Sequence, residues 1–423
     1  MPINQSRFSL RTAHPKALAK KYFDGLPREV LALTGVSFSV ALGFGIVSPV
    51  IPAFAKTFGV STFASSAVIS VFAAMRLLGA SPAGWLINRI GERAVLWIGL
   101  SIVSVSSFLA GISQTYSQLI VLRGLGGIGS VMFTVSALSL LLRLVDSEHR
   151  GRASGTYQSG FLFGGLAGPA LGSFVVSISI RAPFFVYAGT LLMAAFVAYF
   201  ALPKGLGNPK LDETLSQNDS TGSAELKKVM RFYAYWVALA ITFTSAASGF
   251  GLRSSLIPIF VTDALGKTLS YSSFGFLLSS ITTAMFLIPA GRLVDLKGRR
   301  LPLIIGMSAL SASLLLLTLY ETTWTFLLSM MLGGLAGAFL GTAPSAVIGD
   351  IIGKQRGGNV VAAYQMMSDF GMIVGPLILG ELRDSTGSFV APFTAALVLS
   401  LITLVFVARM KETKNRVFVF AEK

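Results

Sequence analysis

Residues 84–93 read GWLINRIGER, and residues 291–300 read GRLVDLKGRR. Both decapeptides follow a long apolar segment and carry glycine, leucine, an Asx residue, glycine and a final arginine at matching places. A polar element repeated in this way indicates a chain built from two similar halves. The first copy has Asn88 where the second has Asp295, so the halves are similar without being identical.

Other short matches keep almost the same offset. They are GFGIVSPVIPAF (43–54) with GFGLRSSLIPIF (249–260), Tyr157-Gln158 with Tyr364-Gln365, and Gly168-Pro169 with Gly375-Pro376. Spans repeated once in the same direction predict two helical bundles related by an axis along the membrane normal. Such bundles enclose a central cavity near mid-depth and can rock against each other.

The composition is that of a polytopic membrane protein. Of 423 residues, 53% are hydrophobic and only 12% are charged, whereas about a quarter is usual in soluble domains. There are no cysteines and only two histidines, which excludes disulfides and leaves little for a metal site. No GxxxxGK[ST] stretch occurs, so ATP is not expected as the energy source.

Segments of about 20 apolar residues are long enough to cross the hydrocarbon core. We predict twelve such spans, at 30–54, 65–87, 94–113, 118–142, 152–177, 182–202, 231–257, 272–292, 301–320, 324–349, 359–381 and 389–409. The predicted fold class is therefore an all-α integral membrane protein of two six-helix bundles. The predicted domains are a tail (1–29), a first bundle (30–202), a polar linker (203–230), a second bundle (231–409) and a tail (410–423).

The basic residues predict the orientation. If both termini lie inside, the tails and loops of that side hold 27 of the 34 Lys and Arg residues. This asymmetry obeys the positive-inside rule and places both termini in the cytoplasm. The net charge of +16 is thus expected to face anionic headgroups rather than nucleic acid.

The chain resembles a major facilitator superfamily transporter over essentially its whole length, and is most similar to the twelve-helix drug:proton antiporter group. Three motifs carry the resemblance: GWLINRIGER after span 2, RGLGGIG (123–129) in span 4, and GGLAGPALG (164–172) in span 5. The resemblance implies alternating access by rocking of the halves. The span-5 motif, with Gly164, Gly168, Pro169 and Gly172, leans toward export, although its glycine spacing is also explained by helix packing alone.

The repeated decapeptides are interpreted as a conformational latch. Its residues are Gly84, Asn88, Arg89, Gly91 and Arg93 in the first half, and Gly291, Asp295, Gly298 and Arg299 in the second. In the family, the aspartate can lie at the N-terminus of a neighbouring helix. Asn88 lacks the charge–dipole attraction of ~0.3–1 kcal/mol, which predicts a weaker first latch and a more populated inward-open state. The alternative is neutral drift, because Asn and Asp cap helices almost equally well.

Charged residues inside the spans are the sharpest candidates for function, since each costs at least ~2.5–3.5 kcal/mol at mid-depth. They are Arg76, Arg123, Arg253 and Asp369. Asp369, the clear carboxylate at depth, can load a proton reversibly, or else serve a structural role. The resemblance implies that Arg123 takes part in binding or proton transfer. Three arginines against one aspartate favour neutral, zwitterionic or anionic substrates.

Further cavity candidates come from the helices that line the cavity in the family. They are Phe44, Tyr157, Gln158, Phe250, Tyr364 and Gln365, together with Arg76 and Arg253. Ordinary packing is the alternative for the aromatic rings, whereas a tyrosine hydroxyl at depth needs a polar partner.

The sequence predicts a non-enzymatic secondary transporter that exports small amphiphilic compounds and takes its energy from a proton gradient without a cofactor. The expected partners are a small-molecule substrate, protons and lipids, with no nucleic acid, and the expected state is a monomer in a bacterial plasma membrane. Three alternatives remain open: an importer or facilitator of a small metabolite, a flippase for lipid-linked compounds, and a non-transporting sensor.

Overall fold

The computed structural model describes residues 27–145, 150–202, 227–352 and 358–414. Within these ranges the chain is helical almost throughout, and no strand occurs. The predicted all-α class is therefore confirmed. The predicted tail 1–29 and linker 203–230 lie almost entirely outside the described residues, as does most of the tail 410–423.

Within the described ranges, the long elements are numbered α1 to α12 in chain order. The first half contains α1 (Arg28–Val47, continued as Ile51–Lys56), α2 (Thr62–Ile90), α3 (Glu92–Ile112), α4 (Tyr116–Leu144), α5 (Arg150–Ile178) and α6 (Ala182–Ala201). The second half contains α7 (Tyr233–Ala246, a π-helix Ala247–Leu256, then Ile257–Asp263), α8 (Leu269–Lys297), α9 (Arg300–Leu319), α10 (Thr323–Leu340, continued as Ala343–Ile352), α11 (Gly358–Thr386) and α12 (Val390–Arg409).

Among the described residues, 11 helices are long and apolar enough to cross a membrane. The remaining long element, α11, has 29 residues and carries Asp369 inside it and Glu381, Arg383 and Asp384 near its end. These charges lower its hydropathy without shortening it. The end of the molecule where α1 begins and α12 ends is called the terminal face below, and the opposite end the distal face.

Three predicted spans are interrupted rather than continuous: α10 breaks between Leu340 and Ala343, and α1 and α7 break near prolines. In α1 the helix stops at Val47 and restarts at Ile51, with Pro49 in the break and Pro52 in the first turn of the second piece. In α7 the π-helix Ala247–Leu256 separates two α-helical pieces, and Pro258 starts the second. Proline lacks the N–H that a continuous helix needs, which explains why both elements change geometry near these positions.

The two halves meet along α2 with α11, along α5 with α8, between α2 and α7, and between α1 and α7 where Ser48 meets Ser254. At that point the Oγ of Ser48 donates to the Oγ of Ser254 at 3.0 Å. These serines occupy equivalent positions in the sequence repeat. The pseudo-two-fold axis therefore passes between their hydroxyl groups, and the space around it is the central cavity.

Candidate functional site: a charged cavity between the halves

A cavity of about 560 Å³ lies between the halves near the middle of the helices. Side chains from both halves line it, and the polar ones are Ser48, Arg76, Ser130, Thr134, Tyr187, Arg253, Ser254, Ser280, Gln365 and Asp369. Most of the remaining lining is apolar, with several aromatic rings. Concave, largely apolar sites with a few convergent polar groups are typical of small-molecule binding.

An ion pair joins the halves in the wall of this cavity. The Nε of Arg76 on α2 lies 4.0 Å from Oδ1 of Asp369 on α11. Arg76 also donates through Nη1 to the Oγ of Ser130 at 2.6 Å. The structure thus identifies which of the in-span arginines is the neighbour of Asp369. A pair formed between halves breaks when the halves move apart, whereas a pair within one half would not.

Arg253 lies on the π-helix of α7, without a similar neutralising partner. It donates to the Oγ of Ser279 at 2.8 Å, and its guanidinium lies 5.5 Å from the ring centre of Phe276. Among the described residues, no carboxylate oxygen lies within 4.0 Å of it. Short π-helical segments are frequent at functional sites, because they turn side chains away from the regular ladder.

Arg123 is buried behind the cavity rather than in its wall. Its guanidinium stacks 4.5 Å from the ring centre of Phe72, which does line the cavity. Its Nε has no hydrogen-bond partner among the described residues. In this conformation Arg123 therefore contacts the cavity wall through Phe72.

Two of the other predicted cavity residues, Phe44 and Gln365, line the cavity. Tyr157 instead lies in the core of the first half, with its ring edge-on to Phe161 and its hydroxyl without a partner among the described residues. Gln158 is exposed, and Tyr364 contacts the core of the second half. Of Phe250 only the backbone is described, and it belongs to the π-helix.

The sequence analysis did not identify Ser130 and Thr134 on α4 as cavity residues. The signal was present, because two hydroxyl side chains four positions apart share one face of a helix. Their equivalents in the second half, 207 positions later, are Gly337 and Gly341. The repeat therefore loses its polar groups at this place in the second half.

The halves are closed at the distal face. Asp384 near the end of α11 accepts the backbone N–H of Thr62 at 2.9 Å and of Phe63 at 2.6 Å, at the start of α2. A carboxylate at a helix N-terminus satisfies free N–H groups and is attracted by the helix dipole. One turn earlier in α11, a Cβ atom at Gly380 would lie 2.9 Å from the Oγ of Ser66.

All hydrogen bonds and ion pairs recorded between the halves, for the described residues, lie at the depth of Arg76–Asp369 or nearer the distal face. Besides those already given, Ser70 donates to the carbonyl of Ile373 at 2.7 Å, and Ser66 and Ser255 share a short hydroxyl contact. Toward the terminal face such contacts are missing from the described residues. The structure is therefore closed at its distal face.

The latch candidates make their contacts inside their own halves. The guanidinium of Arg89 lies over Trp85, and that of Arg93 over Tyr199. Asn88 is exposed and has no hydrogen bond within the described part of the chain. Asp295 is also exposed and lies 4.0 Å from Arg299. This is the arrangement expected when a latch on the terminal face is disengaged.

Next to the latch, the halves carry ion pairs of opposite polarity. In the first half, buried Glu92 at the start of α3 lies 2.8 Å from the Nε of Arg143 at the end of α4. In the second half, Arg299 holds Asp350 through two hydrogen bonds of 2.9 Å. Glu92 and Arg299 are equivalent in the repeat, as are Arg143 and Asp350. The same helix–helix junction is thus fixed with the charges exchanged.

A second carboxylate caps α9 at the terminal face. Glu412, beyond the end of α12, accepts the backbone N–H of Arg299 at 2.8 Å and of Arg300 at 3.1 Å. Burial opposes its ionisation, but the backbone N–H groups outweigh burial, so the pKa of Glu412 lies below its ordinary value. The contact ties the chain after α12 to the start of α9.

The glycines of α5 pack directly on α1. A Cβ atom at Gly168 would lie 2.7 Å from the Cα of Gly45, and one at Gly172 would lie 3.3 Å from the Cα of Ile46. Gly164 faces the carbonyl of Phe38 still more closely. Pro169, beside this stripe, lines the cavity. The motif therefore combines close helix contact with a cavity wall.

Two six-helix bundles around a charged, mid-depth cavity define the class of two-bundle, multi-pass membrane proteins. The sequence profile described as Major Facilitator Superfamily matches residues 33–263 and 238–422. The chain belongs to this family.

Two relatives and one solved structure illustrate the similarity. Multidrug resistance protein 1 of Bacillus subtilis is 28% identical over 354 residues, covering 82% of this chain and 87% of the relative. Quinolone resistance protein NorA of Staphylococcus aureus is 24% identical, covering 92% of this chain and 98% of NorA. A crystal structure of the nucleoside transporter NupG superposes with a TM-score of 0.72 at 14% identity, over 90% of this chain and 100% of that one.

Proposed function

We propose that the chain is a proton-coupled secondary transporter that exports small amphiphilic compounds by alternating access. The observation that carries the proposal is the Arg76–Asp369 pair, which joins the two halves in the wall of the central cavity. Because Arg76 and Asp369 belong to different halves, the ionisation of Asp369 is coupled to the separation of the two halves.

The physical argument concerns what Asp369 binds in each state. While it is ionised, Asp369 attracts Arg76 across the interface, and at low dielectric this attraction is far stronger than in water. Protonation removes the attraction and leaves Arg76 hydrogen-bonded to Ser130 alone. Asp369 therefore alternates between Arg76 and a proton. A substrate that binds near the pair competes either with the Arg76–Asp369 contact or with the proton on Asp369. This competition couples the movement of the substrate to that of the proton.

The proposed orientation follows from charge. The terminal face collects most of the basic residues, so we place it in the cytoplasm of a bacterial plasma membrane. The described conformation, closed at the distal face, is then the one that loads substrate from inside. The names of the two relatives, multidrug resistance and quinolone resistance, support export of drug-like compounds. We further propose that the monomer is the functional unit and that the proton gradient replaces any cofactor.

Two other candidates have supporting roles in this proposal. Arg123 positions Phe72 against the cavity, so it acts as a positioning residue for the wall rather than as a proton carrier. The latch residues around Asn88 and Asp295 engage the opposite half only when the terminal face closes, after the substrate has been taken up.

The test uses purified protein in proteoliposomes with an imposed pH gradient and a trapped pH-sensitive dye. Anionic, neutral and cationic amphiphiles are added in turn, and substrate-triggered proton movement is recorded for the wild type, Asp369→Asn and Asp263→Asn. Asp263 is the matched control, since it is an exposed carboxylate at the distal end of α7. We expect proton movement to be lost in Asp369→Asn and kept in Asp263→Asn.

Two outcomes would contradict the proposal. Substrate flux without proton movement in the wild type would indicate a facilitator or another coupling ion. Proton-coupled flux that survives in Asp369→Asn would leave Asp369 with a structural role only.

A further inference from the structure

A second cavity of about 260 Å³ lies inside the second half, between α7, α9 and α10, and is called the side cavity. Its wall is mainly apolar and contains Leu252, Leu310, Leu314, Met330 and Leu340. Glycines of α10, among them Gly333 and Gly337, form the part of the wall without side chains.

The side cavity exists because the second half has small or unbranched residues where the first half has polar ones. Met330 is the equivalent of Arg123, and Gly337 is the equivalent of Ser130. In the first half, Arg123 fills its place by stacking on Phe72, and Ser130 binds Arg76. Native interiors are closely packed, so a cavity of this size at one of two equivalent places distinguishes the second half from the first.

The side cavity adjoins the central cavity. Gly249 and Arg253 line both, so the guanidinium stands at the boundary between a charged compartment and an apolar one. A buried cation without a neighbouring carboxylate is costly, and an anion that comes close to it recovers part of that cost. Arg76 has Asp369 for this purpose, whereas the recorded partners of Arg253, within the part of the chain that the structure describes, are the hydroxyl of Ser279 and the ring of Phe276.

Two serine hydroxyl groups in the wall also lack partners. The Oγ atoms of Ser245 and Ser248 are buried and have no hydrogen-bond partner among the described residues, and Ser248 is only 4% exposed. Both lie on α7, within or just before its π-helix. Each of these hydroxyl groups can still form a hydrogen bond, so they add two polar atoms to a wall that is otherwise mainly apolar.

We propose that the exported compounds include anionic amphiphiles whose charged group binds Arg253 and whose apolar chain occupies the side cavity. This inference rests on the proposed function and names the substrate class of the same site. Water would fit the apolar part of the wall poorly, because a buried water needs two to four polar partners and the leucine side chains supply none. A cationic headgroup is excluded from this position by repulsion from Arg253.

The test measures equilibrium binding of a homologous series, butanesulfonate to nonanesulfonate, to the purified full-length protein in amphipol by calorimetry. For the wild type we expect affinity to rise about fourfold per methylene until the side cavity is filled, since each buried CH₂ contributes ~0.8 kcal/mol. Alkyltrimethylammonium ions of the same lengths should show no such series.

Gly337→Leu is designed to fill the side cavity, since Gly337 lines it and an added Cβ atom meets only the Oγ1 of Thr283, at an ordinary contact distance of 3.4 Å. We expect butanesulfonate binding to persist in this variant and the gain per methylene to disappear. Gly333→Val provides a second filling variant, since its Cβ meets only the Oγ of Ser313 at 3.6 Å. Gly189→Leu on α6, where nothing lies within 4 Å, is the matched control and should keep the full series.

Arg253→Met should weaken binding of every sulfonate at least tenfold, and Arg253→Lys should restore most of it. An undiminished chain-length series in both filling variants, or undiminished binding in Arg253→Met, overturns the inference. Graded sulfonate binding without proton-coupled transport would refute the proposed function and leave standing only the binding of anionic amphiphiles at Arg253 and the side cavity. Proton-coupled transport of cations by a protein that does not bind sulfonates would do the reverse.

Discussion

At the scale of single residues, the glycines of α5 have two different roles: some pack against α1, and others line the central cavity. Gly168 touches the backbone of α1, whereas at Gly165, three positions earlier, a Cβ atom would meet nothing within 4 Å. The two residues share one helix and nearly one depth, so they form a controlled comparison.

Gly168→Ala should therefore destabilise the protein, because the added methyl group presses two backbones apart. Overpacking of this kind costs roughly 1–3 kcal/mol. Gly165→Ala should leave the stability of the protein unchanged or slightly higher. Thermal unfolding of both variants in detergent checks the prediction, and equal melting temperatures would contradict the assigned contact.

The charged candidates at this scale could be identified from sequence, because ionisable residues are rare inside apolar spans. Their pairing could not be predicted, since Arg76 and Asp369 lie on helices from opposite halves. Tyr157 shows a second limit. Polar residues surround Tyr157 along α5 without forming one polar face, so the sequence pattern does not specify which face turns toward the cavity and which toward the core.

At the scale of helices, the cap that Asp384 of α11 places on the start of α2 holds the distal face closed. We predict that Asp384→Ala shifts the population toward the state open at that face. Loss of a helix cap costs ~1 kcal/mol, which corresponds to a shift of about fivefold in the ratio of the two states.

The shift can be measured with Ser70→Cys as a reporter, because Ser70 is buried at the closed interface and binds the carbonyl of Ile373. A membrane-impermeant thiol reagent added from the distal side should label it faster in Asp384→Ala than in the parent. Asp263→Ala, a change at another exposed carboxylate of the distal face, should have no effect. Equal labelling in all three proteins would show that the cap does not control closure.

The junctions of α3 with α4 and of α9 with α10 allow a prediction on charge exchange. Glu92→Gln should destabilise the first half, by less than the ~3–5 kcal/mol found for fully buried pairs, because Arg143 is partly exposed. The double variant Glu92→Arg with Arg143→Glu copies the charge order of the second half and should recover much of the loss. Melting temperatures of the variants check this prediction. A double variant no more stable than Glu92→Gln would contradict the equivalence of the Glu92–Arg143 and Arg299–Asp350 junctions.

At the scale of the whole molecule, the contact of Ser48 with Ser254 on the pseudo-two-fold axis is a point where the halves can be joined. The chain has no cysteine, so two introduced thiols meet no competitor. We predict that Ser48→Cys with Ser254→Cys forms a disulfide under mild oxidation and locks the distal face closed. Transport should stop on oxidation and return with reductant, while each single variant should transport under both conditions.

The overall architecture could be predicted because it depends on features that sequence displays directly: apolar segments of spanning length, loop charges and an internal repeat. The conformational state could not, since the latch residues are the same whether they are engaged or not. The side cavity was also missed. It follows from Met330 and Gly337 standing where the first half has Arg123 and Ser130, and such a difference has meaning only when both halves are superposed.

The exchanged polarity of the two ion pairs also bears on how the chain assembles. Because the halves are similar, α3 could dock on α10, or α9 on α4, during folding. These wrong partners would set Glu92 against Asp350 and Arg299 against Arg143. Like charges repel at these wrong junctions, whereas the charges of correct partners attract. The exchanged ion pairs therefore favour docking of each helix within its own half over docking in the other half.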